Sequence, residues 1–347
     1  MTTDLTAALT DLAQASAPPS SIDAARARAA GRRRMRLRKA AWTSGIITVA
    51  LAATLTPAAL MIPVDPSPAA SDPPAVDRSR SPLVSRVEFG WLPSYFGAVS
   101  YNEGYHGVFA DARGTEPTGH VGEFGLMPTV VLSAYPRGTE PTPDRLVNES
   151  LDLPTPNPPR WHQVPAPAVN KRPAYWVTED AADPLNGGDI HLRWQVARDQ
   201  WVEIHAYYLP DDAPKQEVVL RIAAAARVGD RAVPMPFYIT GMPAGFELDE
   251  ANLLRRPFLP GGPPWSAGLL YFVPGTTYTL GIGVSPTAPQ EPSRGKTCWT
   301  VDAFDLCITA VNGVPPALDA IGGLEGLRSR ITILGSDDRN WTTDVLR

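Results

Sequence analysis

The sequence predicts an α+β protein: a single transmembrane helix followed by a tandem pair of small α+β sandwich modules, each an antiparallel sheet backed by helices. Three observations predict it. A basic run of Arg32, Arg33, Arg34, Arg36, Arg38 and Lys39 leads into twenty-five uncharged positions, 40–64. Three apolar segments of the first half recur in the same order in the second. A pair of alternating strands is followed by a capped stretch of helical period.

Residues 1–39 form a tail. Thr3 and Asp4 cap a short amphipathic helix with Leu5, Ala8, Leu9 and Leu12 at helical spacing, and Pro18 and Pro19 stop it. Ser20, Ser21 or Asp23 starts a second helix through the alanine and arginine stretch. Such short helices are marginal alone, so the tail is expected to order when a partner covers Leu5, Leu9 and Leu12. The alternative is a helix lying on a bilayer surface.

Residues 40–64 read as the membrane span. Hydrocarbon of about 30 Å is crossed by roughly 20 apolar residues, and flanking Lys and Arg stay on the cytoplasmic side. Trp42 sits where an indole prefers the interface. A secretory signal is the rival, but its apolar core is shorter and its basic segment briefer. The Arg33-Arg34 pair also fits a twin-arginine signal, with cleavage near Ala58-Ala59 or Ala69-Ala70 giving an exported soluble protein.

Charge follows the same division. The tail holds eight basic side chains against Asp4, Asp11 and Asp23, a net of +5, which leaves the rest of this −5 chain at −10. The positive share suits anionic lipid headgroups at Arg32 to Lys39; nucleic acid is not the expected partner. Residues 65–85, with Pro66, Pro68, Pro73, Pro74 and Pro82 among Ser, Asp and Ala, form an extended spacer.

The remaining chain divides into module 1, residues 86–233, and module 2, residues 234–347. Segment 87–96 aligns with 237–246, TVVLSAYP at 129–136 with TLGIGVSP at 279–286, and VNKRP at 169–173 with VNGVP at 311–315. In module 1, residues 191–197 and 201–209 alternate. Pairing Val196 with Val202 across a turn at Arg198, Asp199 and Gln200 brings their apolar sets to one face. A helix follows, with Asp211 or Asp212 as cap, Pro214 and Glu217 in its first turn, a stripe of Val218, Val219, Ile222, Ala223 and Ala226, and Gly229 as its end. Module 2 repeats a strand at 331–333 and an acidic turn at Asp337 and Asp338, but leaves no room for a full closing helix.

Two constellations are candidates for chemistry. Pairing Val301 with Phe304 across Asp302 and Ala303 sets Cys298 opposite Cys307 at a non-hydrogen-bonded site, where a disulfide fits sterically. That register places Trp299, Val301, Phe304, Leu306 and Ile308 on one face and the cysteines on the other. A redox role is disfavoured, because no C-x-x-C or neighbouring base accompanies them. His191, His205 and Glu203 share the polar face of the module 1 hairpin and are the candidate metal set, two imidazoles and a carboxylate. Arg193 between them opposes a cation, so the preferred reading is a solvated strand face and no metal or cofactor is assigned.

The sequence contains no G-x-S-x-G, H-E-x-x-H, phosphate loop, G-x-G-x-x-G or calcium loop. Trp161, Tyr175, Trp176, Tyr207 and Tyr208 are read mainly as core or strand-face residues. The layout of residues 1–85, an arginine-ended tail, a span and a Pro/Ser linker, resembles actinobacterial single-pass envelope proteins, including membrane-bound anti-sigma-factor-like regulators. The later modules loosely resemble sandwich domains of photosystem-accessory and mycobacterial lipoprotein families. The first resemblance implies a tail that binds a cytoplasmic regulatory protein and an outer domain that senses or binds an envelope ligand. It lacks the zinc-containing members' motif, since no Cys or His precedes position 40. The expected function is therefore a membrane-anchored extracytoplasmic sensor, binding or scaffolding protein, with an envelope hydrolase as the competing class.

Overall fold

The computed structural model describes residues 76–104, 107–121, 124–142, 161–185, 189–255, 263–288 and 295–347, which belong to one compact unit. The strands of the first half are β1 (Val84–Glu88), β2 (Phe96–Gly104), β3 (Gly107–Gly114), β4 (Gly119–Val121), β5 (Phe124–Leu126), β6 (Thr129–Ala134), β7 (His162–Pro165), β8 (Ala174–Thr178), β9 (Asp189–Ala197) and β10 (Gln200–Tyr207). Helix α1 (Lys215–Ala225) then leads into β11 (Arg227–Ala232). The second half holds β12 (Phe237–Ile239), β13 (Glu247–Leu254), β14 (Ser266–Phe272), β15 (Thr279–Pro286), β16 (Lys296–Val301), β17 (Phe304–Val311), helix α2 (Gly323–Arg328) and β18 (Ile331–Ile333).

Twelve strands form one antiparallel sheet in the order β16, β17, β15, β14, β13, β2, β3, β6, β10, β9, β8, β7. Outward from the central β13–β2 pair the order is alike on both sides: β13, β14, β15, β17, β16 against β2, β3, β6, β10, β9. Two small pairs, β1 with β11 and β12 with β18, occupy corresponding places in the chain. The joint is close. Gly104 has φ +148°, and a Cβ there would come within 2.4 Å of the Asp249 carbonyl oxygen, so β2 and β13 approach only because no side chain intervenes.

This corrects the expected α+β fold. The two repeats do not close as separate sandwiches backed by helices; they join edge to edge into a mostly β architecture. The reason lies in pairing. Each open half-sheet edge carries unpaired backbone groups, and β13 satisfies those of β2 through Glu250–Gly104 to Leu253–Tyr101. The expected single-pass helix has no counterpart among the described residues either. Among the described residues no helix is long and apolar enough to cross a membrane. The longest, α1, has 11 residues and spans about 16 Å, roughly half the hydrocarbon thickness. Positions 40–64, on which that expectation rested, lie outside the described residues, as do the tail and most of the spacer.

One apolar cluster lies under each half. In the first, Ala110, Ala112, Val130, Leu132, Trp176, Leu192, Trp194, Val202 and Ile204 pack against Val219, Ile222 and Ala223 of α1. In the second, Leu253, Leu269, Ile282, Leu306 and Ile308 pack against Met235, Phe237, Leu318 and Leu327. Helix α1 matches its predicted stripe at Val219, Ile222 and Ala223, but no side chain caps it, Pro214 holds the cap position, and Gly229 lies inside β11.

The β16–β17 hairpin has the register expected from sequence. Val301 pairs with Phe304, Trp299 with Leu306 and Cys298 with Cys307. The cysteines are bonded, with Cα atoms 4.1 Å apart. Asp302 adopts φ +54° in the two-residue turn, as the twist of such a hairpin requires.

Candidate functional site: a buried charge and aromatic ladder

The side chains alternating with the apolar cluster on β6, β8, β9 and β10 face the other side of the sheet, and register lays them out in rows. One row runs Ser133, Glu203, Arg193, Tyr175 across β6, β10, β9 and β8. The next runs Asp111, Val131, His205, His191, Val177 from β3 to β8. Tyr135 enters from the end of β6, fixed by its N–H donating to the Trp201 carbonyl at 3.0 Å.

Glu203 is the centre. Its Oε2 accepts from Arg193 Nε at 2.7 Å and from the Tyr135 hydroxyl at 2.5 Å, while Oε1 faces His191 Nδ1 at 3.3 Å. The side chains of Glu203, Arg193 and His191 are 4%, 0% and 3% exposed, so three ionisable groups sit essentially out of water. Arg193 Nη1 also donates to the Thr142 carbonyl at 2.6 Å. Burial alone pushes the Glu203 carboxyl up, but the His191 hydrogen bond, the Arg193 charge and the Tyr135 hydroxyl outweigh it and hold the group below the usual carboxylate range. Burial likewise pulls the His191 imidazole down despite its bond to Glu203, and drives the Tyr135 phenol far above its ordinary value. The resting state is thus an ionised Glu203, a charged Arg193 and a neutral His191 that donates through Nδ1.

Aromatic rings continue the ladder outward. Trp161 stands edge-on to His191 at 5.5 Å, the His191 and His205 rings stack at 4.0 Å and 17°, and His205 meets Tyr207 at 4.9 Å. Tyr207 meets Tyr208, which is 43% exposed at φ +56°. His205 Nε2 lies 3.2 Å from Asp189 Oδ1, and that bond is the main cause holding the Asp189 carboxyl low.

The sequence-derived set His191, His205 and Glu203 is therefore brought together, but in a different geometry from the one expected. His205 lies directly opposite His191 rather than Arg193, because Val202 pairs with Trp194 and a bulge follows the Arg198-Asp199 turn. Face-to-face stacking directs the ring nitrogens away from a common centre, and both Glu203 oxygens are engaged. Among the described residues no group of three His, Cys, Asp or Glu is placed to hold a metal ion. The positions of Leu5, Leu9, Leu12, Arg32, Arg33, Arg34, Arg36, Arg38 and Lys39 lie outside the described residues, and nothing observed supports lipid contact. Sequence reasoning missed the Arg193–Glu203 pair and Tyr135. Opposite charges at facing strand positions were the available signal, since pairing Glu203 with Arg193 selects the observed register.

On the opposite, helix-covered side of the sheet a cleft of about 890 Å³ runs along α1. Val169, Leu185, Pro214 and Leu220 contribute to its apolar lining, with Lys215 and Arg221 beside them. Both cations are engaged: Lys215 pairs with Asp211 at 3.3 Å, and the Arg221 guanidinium lies 3.9 Å over the Trp91 ring. The open surface is shallow and mostly apolar, with Asn170, Gln216 and Glu217 also lining it.

No family model matches the chain, and no curated protein matches it. A solved chain described as MucB, in a crystal structure of MucB in complex with MucA(peri), is 13% identical over 75% of this chain and 96% of that one. Its TM-score of 0.20 is too low to carry an argument about fold or function.

Proposed function

We propose that the protein is a non-enzymatic extracytoplasmic sensor or scaffold that engages a protein partner. The observation that carries the reading is the cleft along α1, whose size falls within the range of binding sites, whose open lining is mostly apolar, and whose Lys215 and Arg221 are held by Asp211 and the Trp91 ring. Such a surface suits an apolar segment of another protein better than a charged small substrate. The extracytoplasmic placement rests on the Cys298–Cys307 disulfide, a bond favoured in oxidising compartments. Against the hydrolase alternative stands Glu203, whose oxygens are committed to Arg193, Tyr135 and His191 rather than poised toward an open site. Leu5, Leu9 and Leu12 are a further proposed contact for a regulatory protein.

The test is capture by the purified, oxidised full chain and by its Leu220→Glu variant. A protein retained by the first and lost by the second, with unchanged circular dichroism, supports the reading. Turnover of an envelope ester or amide by the full chain, undiminished by the variant and without any capture, would establish the hydrolase instead.

A further inference from the structure

We propose that the stacked His191–His205 pair is an acid-sensitive clasp, closed when both rings are neutral and parted when both are protonated. The proposal rests on the sensor reading and names what is sensed, the proton concentration outside the cytoplasm.

The geometry makes two protons at this place incompatible. The ring centroids are 4.0 Å apart, and a 17° interplanar angle puts face against face. A proton on His205 finds the Asp189 carboxylate at 3.2 Å and solvent at the ring's 30% exposed edge. A proton on His191 finds Glu203 at 3.3 Å, but Glu203 already balances the Arg193 charge. Among the described residues a second positive charge there shares Glu203 with the buried Arg193, and it faces the first imidazolium ring to ring.

Groups from each packed element surround the pair. On β9 and β10 they are Asp189, Arg193, Glu203 and Tyr207; from β6 and its end, Val131 and Tyr135; from β8, Tyr175 and Val177; and from β3, Asp111, in the same row as His205 by way of Val131. Trp161 closes the His191 edge. The depressed basicity of buried His191 agrees with this arrangement. Its sign follows from linkage: a histidine whose folded value lies below the unfolded one supports the fold at neutral pH and withdraws that support as pH falls. Parting the rings frees Trp161 and lets water reach the Glu203–Arg193 pair, so the end of the β9–β10 hairpin loosens first.

Thermal melts of the oxidised full chain at about pH 7.5 and about pH 5, for wild type, His205→Phe and His191→Gln, test the clasp. Phenylalanine keeps a stacking ring at position 205 without the second charge. The wild type should lose midpoint on acidification, and His205→Phe should lose about half as much or less. Ring-carbon NMR should show the His191 titration displaced between wild type and His205→Phe. Equal acid losses in wild type and His205→Phe, or a His191 titration unchanged by His205→Phe, would overturn the proposal, whether or not His191→Gln folds. A rise in wild-type midpoint on adding zinc at pH 7.5 would overturn it too, since the rings would then converge on a metal. Partner capture at neutral pH reads the sensor proposal separately: capture without acid response removes the clasp alone, and acid response without capture removes the binding role alone.

Discussion

Replacing Glu203 with glutamine removes the carboxylate that is bonded to Arg193 inside the sheet. The two side chains are 4% and 0% exposed and share a 2.7 Å hydrogen bond, so the variant leaves a guanidinium in a nearly dry site without that carboxylate. Breaking a buried pair by deleting one partner costs about 3 to 5 kcal/mol, more than the pair itself contributes, because the remaining charge is uncompensated. Tyr135 and His191 each lose a charge-assisted acceptor as well. In a domain of this size each kcal/mol lowers the midpoint by about 2 to 4 °C, so a drop of about 10 °C is expected. Urea unfolding followed by far-ultraviolet circular dichroism reads the change, and an unaltered denaturant slope shows that the fold is retained. A loss under about 1 kcal/mol would refute the reasoning, since it would mean that water already reaches Arg193.

Serine at both Cys298 and Cys307 should lower stability by about 2 to 3 kcal/mol without changing the fold, because the bridge closes a short loop; non-reduced mass mapping that finds two free thiols would contradict it. Asp302→Val should cost about 1 to 2 kcal/mol in urea unfolding while Asp302→Gly stays near neutral, since φ is +54° in that turn. Gly104→Ala should cost about 1 to 3 kcal/mol and raise amide exchange along β2 and β13, because the new Cβ meets the Asp249 carbonyl. Between neutral pH and about pH 4 the Glu203 carboxyl, held low in the fold, should contribute stability that is lost on further acidification; in Glu203→Gln that part of the pH profile should flatten.

The sequence shows some parts of this fold more clearly than others, and the reason is the range of the contacts involved. The β16–β17 register was legible because a two-residue turn and a matching pair of cysteines constrain it locally. The β9–β10 hairpin was legible in its faces but not in its register. A slip of two residues keeps Leu192, Trp194, Val202 and Ile204 on the apolar side, so alternation cannot detect it, whereas the Glu203–Arg193 charge pair can. The recurrence of segments 129–136 and 279–286 also corresponds to strands in like places, β6 and β15. What no local pattern carried was the β2–β13 joint, which depends on one glycine meeting a backbone about 145 residues away. Edge pairing of that kind turned two expected sandwiches into one sheet.

The central claim, that the apolar cleft along α1 receives a protein partner, is tested most directly by placing a photoreactive phenylalanine analogue at Gln216 and at Ala224, two exposed positions on the cleft's rim. The same residue at Val311, 48% exposed at the end of β17, serves as the control. Irradiation in the producing cell should yield one adduct of the same mass from both cleft positions and none from Val311. Adducts from all three positions alike, or from Val311 alone, would contradict the assignment.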